Sequence, residues 1–189
     1  MRKFVILCIF FFFITVNLYS QARFAVKTNL PFLLTTTPNI GVEYAFAHNY
    51  SFELSGGYNP FEFKNSAKIK HWILWSEMRY WVLEPFNSHF FGLHGLVGEF
   101  DIGGINLPLS GLDALKSRNY DGKAKGVGLS YGYQWIIGNN LELELSIGAG
   151  LARIDYDVKT LGENGMKMDE GKKYYFGPTK GALSLVYVF

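Results

Sequence analysis

The chain has 189 residues, which is enough for one domain with a sizeable core and cramped for two. Aromatic residues make up 17% of the chain, charged residues only 18%, and the formal net charge is +2. Nucleic-acid-binding domains carry a strongly basic surface, so this composition excludes that class and predicts no nucleic-acid partner.

An apolar segment near the amino terminus predicts export. Two basic residues precede an apolar run from Phe4 to Val16, which has the form of a signal peptide and is too short for a membrane-spanning helix. Small residues then predict cleavage near 20/21 or 22/23, so 1–22 are assigned to the signal peptide and 23–189 to one domain. Cys8 is the only cysteine and lies inside the apolar run, so we expect neither a lipid anchor nor a disulfide.

The rest of the chain shows the period-two alternation of apolar and polar side chains that is typical of β-strands. No long helical period competes with it, although residues 109–116 are compatible with a short helix. Eight strands are predicted, over residues 24–30, 40–46, 50–55, 71–82, 90–97, 126–135, 141–148 and 181–189.

The links between these strands alternate in length. Tight turns are predicted around His48, Pro85 and Asn139, and an intermediate link at 35–39. Long polar links are predicted at 59–70, 103–123 and 157–173. Short turns on one side and long loops on the other are typical of bacterial outer-membrane barrels. The predicted fold is therefore all-β: an eight-stranded, antiparallel, up-and-down transmembrane β-barrel with short periplasmic turns and long extracellular loops.

The last predicted strand ends the sequence on an aromatic residue. Its large apolar side chains share one face, as expected of a strand whose outer side meets lipid. Phe189, with Tyr187 two residues before it, also resembles the carboxyl-terminal signal that the barrel-assembly machinery reads. Tyr187 and Phe189 are therefore the predicted assembly signal, and that machinery and outer-membrane lipid are predicted partners.

The same alternation predicts which side chains face the lumen. An outward Lys or Arg at the bilayer midplane would cost roughly 2–4 kcal/mol, so the strand charges should point inward, where buried charges must be paired. The predicted lumen network comprises Lys27, Glu43, Glu53, Glu77, Arg79, His94, Glu142, Glu144 and Lys180. Arg79 is its expected hub, because a guanidinium can bond two carboxylates at once. Eight strands leave room only for side chains, so a plugged lumen is expected.

Several short motifs resemble one family along nearly the whole mature chain. They are KTNL at 27–30, TPNIGVE at 37–43, YNP at 58–60, KHW at 70–72, EMRYW at 77–81, HFFGLH at 89–94 and GPTK at 177–180. Together they resemble the domain-of-unknown-function 3575 family, small outer-membrane barrels found mainly in Bacteroidetes. The family usually has Pro where this chain has Ser76. The resemblance implies a fold and an outer-membrane location, and no established activity.

No catalytic, cofactor-binding or metal-binding constellation emerges from the residue pattern. His89 and His94 are isolated, which favours packed, hydrogen-bonded side chains over ligands or general bases. The glycine pairs at 103–104 and 126–128 do not lead directly into a helix, as a phosphate-binding loop would. Acidic residues near the expected outer loops lack the spacing of a calcium-binding loop and are interpreted as solvated charge: Asp101, Asp113, Asp155, Asp157 and Asp169.

Three classes of function remain open. The first is a non-enzymatic barrel serving envelope structure, or surface adhesion and assembly, with a protein or glycan partner at its long loops. The second is a barrel enzyme, such as a lipid acyltransferase or surface protease, for which His71 would need Ser and Asp partners. The third is a soluble, lipocalin-like barrel, which requires an apolar interior and a charged exterior.

Overall fold

The computed structural model describes residues 24–62, 68–104, 118–160 and 166–189. The predicted signal peptide and the possible helix at 109–116 lie outside these described residues. The described chain is almost entirely β-sheet, as the alternation predicted.

Eight antiparallel strands form one sheet that closes on itself. Each strand pairs with the next in sequence, and the first pairs with the last, so the sheet is a closed barrel. The strands are β1 Phe24–Asn29, β2 Asn39–Ala47, β3 Tyr50–Asn59, β4 Lys68–Trp81, β5 Ser88–Gly103, β6 Arg118–Ile136, β7 Leu141–Thr160 and β8 Lys167–Val188. Closure pairs both edges of the sheet where β1 meets β8 at 184–188, whereas the earlier part of β8 pairs with β7 alone.

The strands lengthen steadily along the chain, from 6 residues in β1 to 22 in β8. The three tight links, at 48–49, 82–87 and 137–140, lie at one end of the barrel, which we call the short-turn end. All the added length therefore projects beyond the other end. The projecting side, formed by β5 to β8, is called the tall wall below.

The tall wall corrects the predicted loops. Residues 157–173 were expected to form a polar loop, but β7 continues to Thr160 and β8 begins at Lys167. In the same way, β6 begins at Arg118 and β4 at Lys68, both inside segments expected to be loops. The reason is physical: where both faces of a hairpin meet water, neither face needs to be apolar, and the alternation that signals a strand disappears.

A short helix, α1 (Leu30–Leu34), also differs from the prediction, which placed Leu30 in the first strand. Pro31 lies at the start of this helix, where its missing N–H is tolerated and its fixed φ is favourable. Phe32 packs against the inward ring of Trp75, with ring centroids 5.7 Å apart. The helix therefore lies beside the barrel mouth. No helix among the described residues is long and apolar enough to cross a bilayer.

The burial of side chains is the reverse of that in a soluble domain. Among the described residues, sixteen polar or charged side chains are buried and only ten apolar ones. Large apolar side chains are exposed instead, including Leu129 at 69% and Ile147 at 62%. In β6, for example, Leu129 is exposed whereas its neighbour Ser130 is buried, as the alternation predicted. The polar residues form the core of this protein.

Candidate functional site

The most distinctive site is a cluster of charged side chains inside the barrel. Glu43, Glu53 and Glu77 are direct cross-strand partners on β2, β3 and β4, and His94 on β5 follows Glu77 in the same register. Like charges placed directly opposite each other destabilise a sheet. This row of carboxylates therefore requires cations beside it.

Arg79 on β4 supplies the largest share of the compensating contacts. Its guanidinium donates from Nε to Glu77 at 2.7 Å and from Nη1 to Glu43 at 2.8 Å. It also donates from Nη1 and Nη2 to the two oxygens of Glu144 at 2.8 and 3.0 Å, and forms an ion pair with Glu53. Arg79 is fully buried, so all four carboxylates bind it in the interior. It is the hub of the cluster.

Two lysines on the strands at the barrel seam, β1 and β8, add further compensating positive charge. Lys27 on β1 donates to Glu43 at 2.5 Å, to Glu53 at 3.1 Å and to Glu144 at 2.7 Å. Lys180 on β8 donates to Glu77 at 2.7 Å and lies 3.4 Å from Glu53. Four glutamates thus meet three cationic side chains. Burial of charge is tolerated here because every charged group has several partners.

Hydroxyl groups satisfy the remaining oxygens of the carboxylates. Ser51 donates to Glu43 at 2.5 Å, Ser55 donates to Glu53 at 2.8 Å, and Ser130 donates to Glu77. These serines were not singled out in the sequence, although their inward positions follow from the alternation. They fix the orientation of each carboxylate toward the central cations.

His94 extends the cluster toward β8. Its Nε2 lies 2.8 Å from the Thr179 hydroxyl, and its Nδ1 lies 3.9 Å from Glu77. The ring fits because two glycines face it: a Cβ on Gly128 would lie 2.7 Å from His94 Nε2, and one on Gly148 would lie 2.8 Å from Cε1. The imidazole is therefore packed and hydrogen-bonded inside the barrel.

Aromatic side chains close the lumen at the short-turn end. Arg79 lies over the Phe90 ring at 4.1 Å, a cation–π contact, and Phe90 packs on Trp81 at 4.8 Å. Trp81 donates from its indole N–H to Ser51 at 2.8 Å and also contacts Phe86. Phe86 comes from the 82–87 turn, which folds inward and buries it. Turn residues rarely fill a core, so sequence reasoning gave no signal for Phe86.

The rest of the predicted set lies at the same end. Glu142 is buried and accepts a hydrogen bond from Gln134, its close neighbour across the β6–β7 turn. Tyr187 and Phe189 are exposed on the outer face, with ring centroids 5.0 Å apart. The Phe189 N–H donates to the Phe24 carbonyl at 2.8 Å and ties the end of the chain to β1.

Three of the carboxylates lie close enough together to suggest a metal site. Ligand oxygens of Glu43, Glu53 and Glu144 lie within 4.8 Å of one another. However, the Lys27 ammonium lies within 2.5 to 3.1 Å of all three, and Arg79 contacts all three as well. The position a metal ion would take is filled by the chain's own cations. The donor set therefore fits an internal ion-pair cluster better than a metal centre.

The acidic residues near the expected outer loops lie on strands of the tall wall, except Asp113, which is outside the described residues. Asp101 accepts a hydrogen bond from Asn119 at 2.6 Å, and Asp169 lies in β8. Asp157 forms an ion pair with Lys167 at 2.9 Å. Hydrogen bonds to Glu170 and Asp157 raise the pKa of Lys167 to about 12.

Two of the three remaining histidines, His71 and His89, make hydrogen-bond contacts that do not form a catalytic pair. His71 Nδ1 lies 3.2 Å from the Ile69 carbonyl, and it has no Ser or Asp partner among the described residues. His89 Nδ1 lies 2.6 Å from the Tyr131 hydroxyl on the outer face. Neither arrangement is a nucleophile–base pair of the kind that hydrolytic enzymes use.

A family comparison covers essentially the entire chain. The profile of a family described as "Protein of unknown function (DUF3575)" matches residues 4–189. No curated protein matches the chain.

Proposed function

This chain belongs to the DUF3575 family of proteins of unknown function, and we propose that it is a non-enzymatic β-barrel of the bacterial outer membrane, with its lumen plugged by the charged cluster. The observation that carries the proposal is the reversed burial: charges inside, aromatic and aliphatic side chains outside. A contiguous exposed apolar surface of this extent requires a partner, and a bilayer is the partner that surrounds a barrel on all sides.

The apolar outer surface has a sharp upper border. Along the outward face of β6, Leu129 and Val127 are followed by Lys125 and Lys123. The same change occurs on β7, β5 and β4: from Leu151 to Arg153, from Val97 to Glu99, and from Trp72 to Lys70. Below this border the outward positions of these strands carry no charge down to the short turns. The border supports a membrane boundary at that level.

The height of the apolar band also fits a bilayer. On β4, Trp72 and Tyr80 mark its limits on the outer face, nine residues apart when both are counted. At about 3.3 Å per residue they are separated by roughly 26 Å along the strand. A tilted transmembrane strand needs about 9–11 residues. Aromatic rings near both borders match the aromatic girdles of such barrels.

The proposed orientation follows from the unequal ends. Outer-membrane barrels keep short turns in the periplasm and longer segments outside the cell. The short-turn end would therefore face the periplasm, and the tall wall would stand above the outer surface. Its outer face is rich in charge pairs, such as Lys159 with Asp121 at 2.5 Å and Lys123 with Glu99 at 2.6 Å.

The biological role that this shape favours is contact at the cell surface. The tall wall is a preformed, one-sided sheet, suited to envelope structure or to adhesion and assembly with a surface protein or glycan. The barrel interior offers a cavity of only about 40 Å³ beside Lys27 and Trp75, which is room for water and not for a substrate. The barrel-assembly machinery would be the partner during insertion, through Tyr187 and Phe189.

The soluble, lipocalin-like alternative requires the opposite burial. Its ligand would need an apolar interior, whereas the interior here holds Arg79, Lys27 and four glutamates. The enzyme alternative requires Ser and Asp partners for His71, whereas among the described residues its Nδ1 contacts the backbone carbonyl of Ile69. No observation favours either alternative over the plugged membrane barrel.

Cell fractionation combined with gel mobility tests the proposal. We expect the exported protein in the outer-membrane fraction, where detergent releases it as a folded species that migrates faster before boiling than after. Recovery of the protein in the soluble periplasmic fraction after gentle lysis would contradict the proposed location.

A further inference from the structure

A groove on the outer surface lies at the border between the apolar band and the charged tall wall. It has a volume of about 540 Å³ and crosses the outer face of β4 to β8. Its lowest part is formed by Ser76 and Gly95, which are direct cross-strand partners with small side chains. Leu74, Val97 and Leu151 form apolar walls. The groove therefore has the apolar lining that an acyl chain needs.

Two cations lie at the upper rim of this groove. Lys125 and Arg153 are direct cross-strand partners on β6 and β7, and both line the groove. The guanidinium of Arg153 forms an ion pair at 3.0 Å with Asp155, which lies on the same strand. Lys125 forms no ion pair with any residue that the structure describes. Tyr174, opposite Arg153 on β8, adds a phenol at the same level.

The surroundings of Asp155 leave the rim positive. Its cross-strand neighbours are Lys123 on β6 and Lys172 on β8, in addition to Arg153 two residues before it. Lys123 is also paired with Glu99 at 2.6 Å, so two carboxylates lie among four cations, Lys123, Lys125, Arg153 and Lys172. An anion placed between Lys125 and Arg153 would receive charge-assisted hydrogen bonds from a lysine and an arginine, the two side chains that bind phosphate best.

We propose that this groove binds one lipid of the surrounding leaflet whose headgroup carries a phosphate. The acyl chain lies over Ser76 and Gly95, and the phosphate is held by Lys125 and Arg153. This inference rests on the proposed membrane location. A soluble phosphate compound fits less well, because the apolar walls lie directly below the cations and would remain without a partner.

Lipid retention by the purified barrel tests this inference. The folded barrel in a neutral detergent is mixed with dioleoyl phosphatidic acid or with dioleoylglycerol, which differ only in the phosphate, and bound lipid is counted by native mass spectrometry. We expect at least tenfold higher retention of the phosphatidic acid. Replacing both rim cations, K125Q with R153Q, should reduce that retention about tenfold and leave the dioleoylglycerol unaffected.

A second variant tests the apolar part of the groove. Gly95→Leu fills the groove, and it should fold because the nearest atom to a Cβ there is Ser76 Oγ at 3.5 Å. It should reduce retention of phosphatidic acid. Gly181→Leu is the matched control, since Gly181 is also exposed and has no atom within 4 Å of its Cβ position. The matched control for removing two cations is K159Q with K167Q, which lie on the upper part of the tall wall, away from the groove. This variant should retain phosphatidic acid normally.

The outcomes separate the lipid site from the membrane location. Equal retention of the two lipids by an inserted, heat-modifiable barrel would overturn the lipid site and leave the barrel proposal intact. The lipid site would also be overturned if both K125Q/R153Q and Gly95→Leu retained as much phosphatidic acid as the wild-type barrel. A wild-type chain that never forms a heat-modifiable species would overturn the membrane location and the lipid site together.

Discussion

Arg79 and Glu144 meet inside the barrel, although the strands that carry them, β4 and β7, are not neighbours in the sheet. The guanidinium of Arg79 donates two hydrogen bonds to the two oxygens of Glu144, at 2.8 and 3.0 Å. Both side chains are buried, and they are 65 residues apart in the sequence. The contact links two separate strands across the interior of the barrel, so the charged cluster acts as an internal strut.

The first prediction concerns this strut. Arg79→Ala should lower the free energy of unfolding by about 3–5 kcal/mol, because it leaves buried carboxylates without their main partner. Urea unfolding of the barrel in neutral phospholipid vesicles, followed by tryptophan fluorescence, measures the change. The control is Arg118→Ala at an exposed position, which should change stability by less than about 0.5 kcal/mol.

A double-mutant cycle sharpens this test. Glu77 accepts a hydrogen bond from Arg79 at 2.7 Å, so the loss caused by Arg79→Ala together with Glu77→Ala should be smaller than the sum of the two single losses. Strict additivity would mean that the two groups do not interact, which contradicts the cluster as described.

The second prediction concerns the outer face. Leu129→Arg puts a charge in the middle of the apolar band and should destabilise the barrel in lipid by about 2–4 kcal/mol. Met168→Arg is the matched control, because Met168 is also an exposed apolar side chain but lies high on the tall wall. Unfolding midpoints in vesicles provide the comparison. Equal losses from the two arginines would argue against a bilayer around Leu129.

The third prediction concerns the close packing of β6 and β7. A Cβ on Gly150 would overlap the Val127 carbonyl and lie 2.5 Å from the Gly128 Cα, and backbone atoms cannot move aside as side chains do. Gly150→Ala should therefore cost about 1–3 kcal/mol. Gly181→Ala, where the Cβ meets open space, should be nearly neutral. The temperature at which each variant loses its fast-migrating gel species compares their stabilities. Identical melting temperatures for the two variants would contradict the close packing at Gly150.

The fourth prediction concerns permeability. Arg79 and the rings of Phe90, Trp81 and Phe86 pack against one another inside the barrel. An eight-stranded barrel has no further room for an aqueous channel. The purified protein should show no steady conductance in planar bilayers. A stable open state would be incompatible with the plugged interior.

The fifth prediction concerns the end of the chain. Phe189 is 68% exposed on the outer face and packs edge-on against Tyr187. Phe189→Asp should reduce the amount of heat-modifiable barrel in the outer membrane severalfold, because it removes the terminal aromatic of the proposed assembly signal. Phe189→Tyr keeps an aromatic ring and should insert normally. Normal insertion of the aspartate variant would show that the machinery does not read this residue.

Below the tall wall, the direction of the side chains on each strand follows from the local pattern of the sequence. Period-two alternation depends only on local backbone geometry, so the inward positions of Lys27 and Glu53 and the outward position of Leu129 could be read without knowing any pairing. The same signal failed on the tall wall, where residues 157–173 looked like a loop. A hairpin with water on both faces has no apolar face to alternate with a polar one.

Which inward groups meet depends on the assembled barrel. Whether Arg79 reaches Glu144, or Phe86 reaches Trp81, depends on the closure of the sheet and on how its strands are staggered, and neither is encoded in a local pattern. The groove between Gly95 and Lys125 has the same origin, since its parts lie on different strands and meet through cross-strand register. Alternation is a property of one strand, whereas a binding site in a barrel is a property of the whole ring of strands.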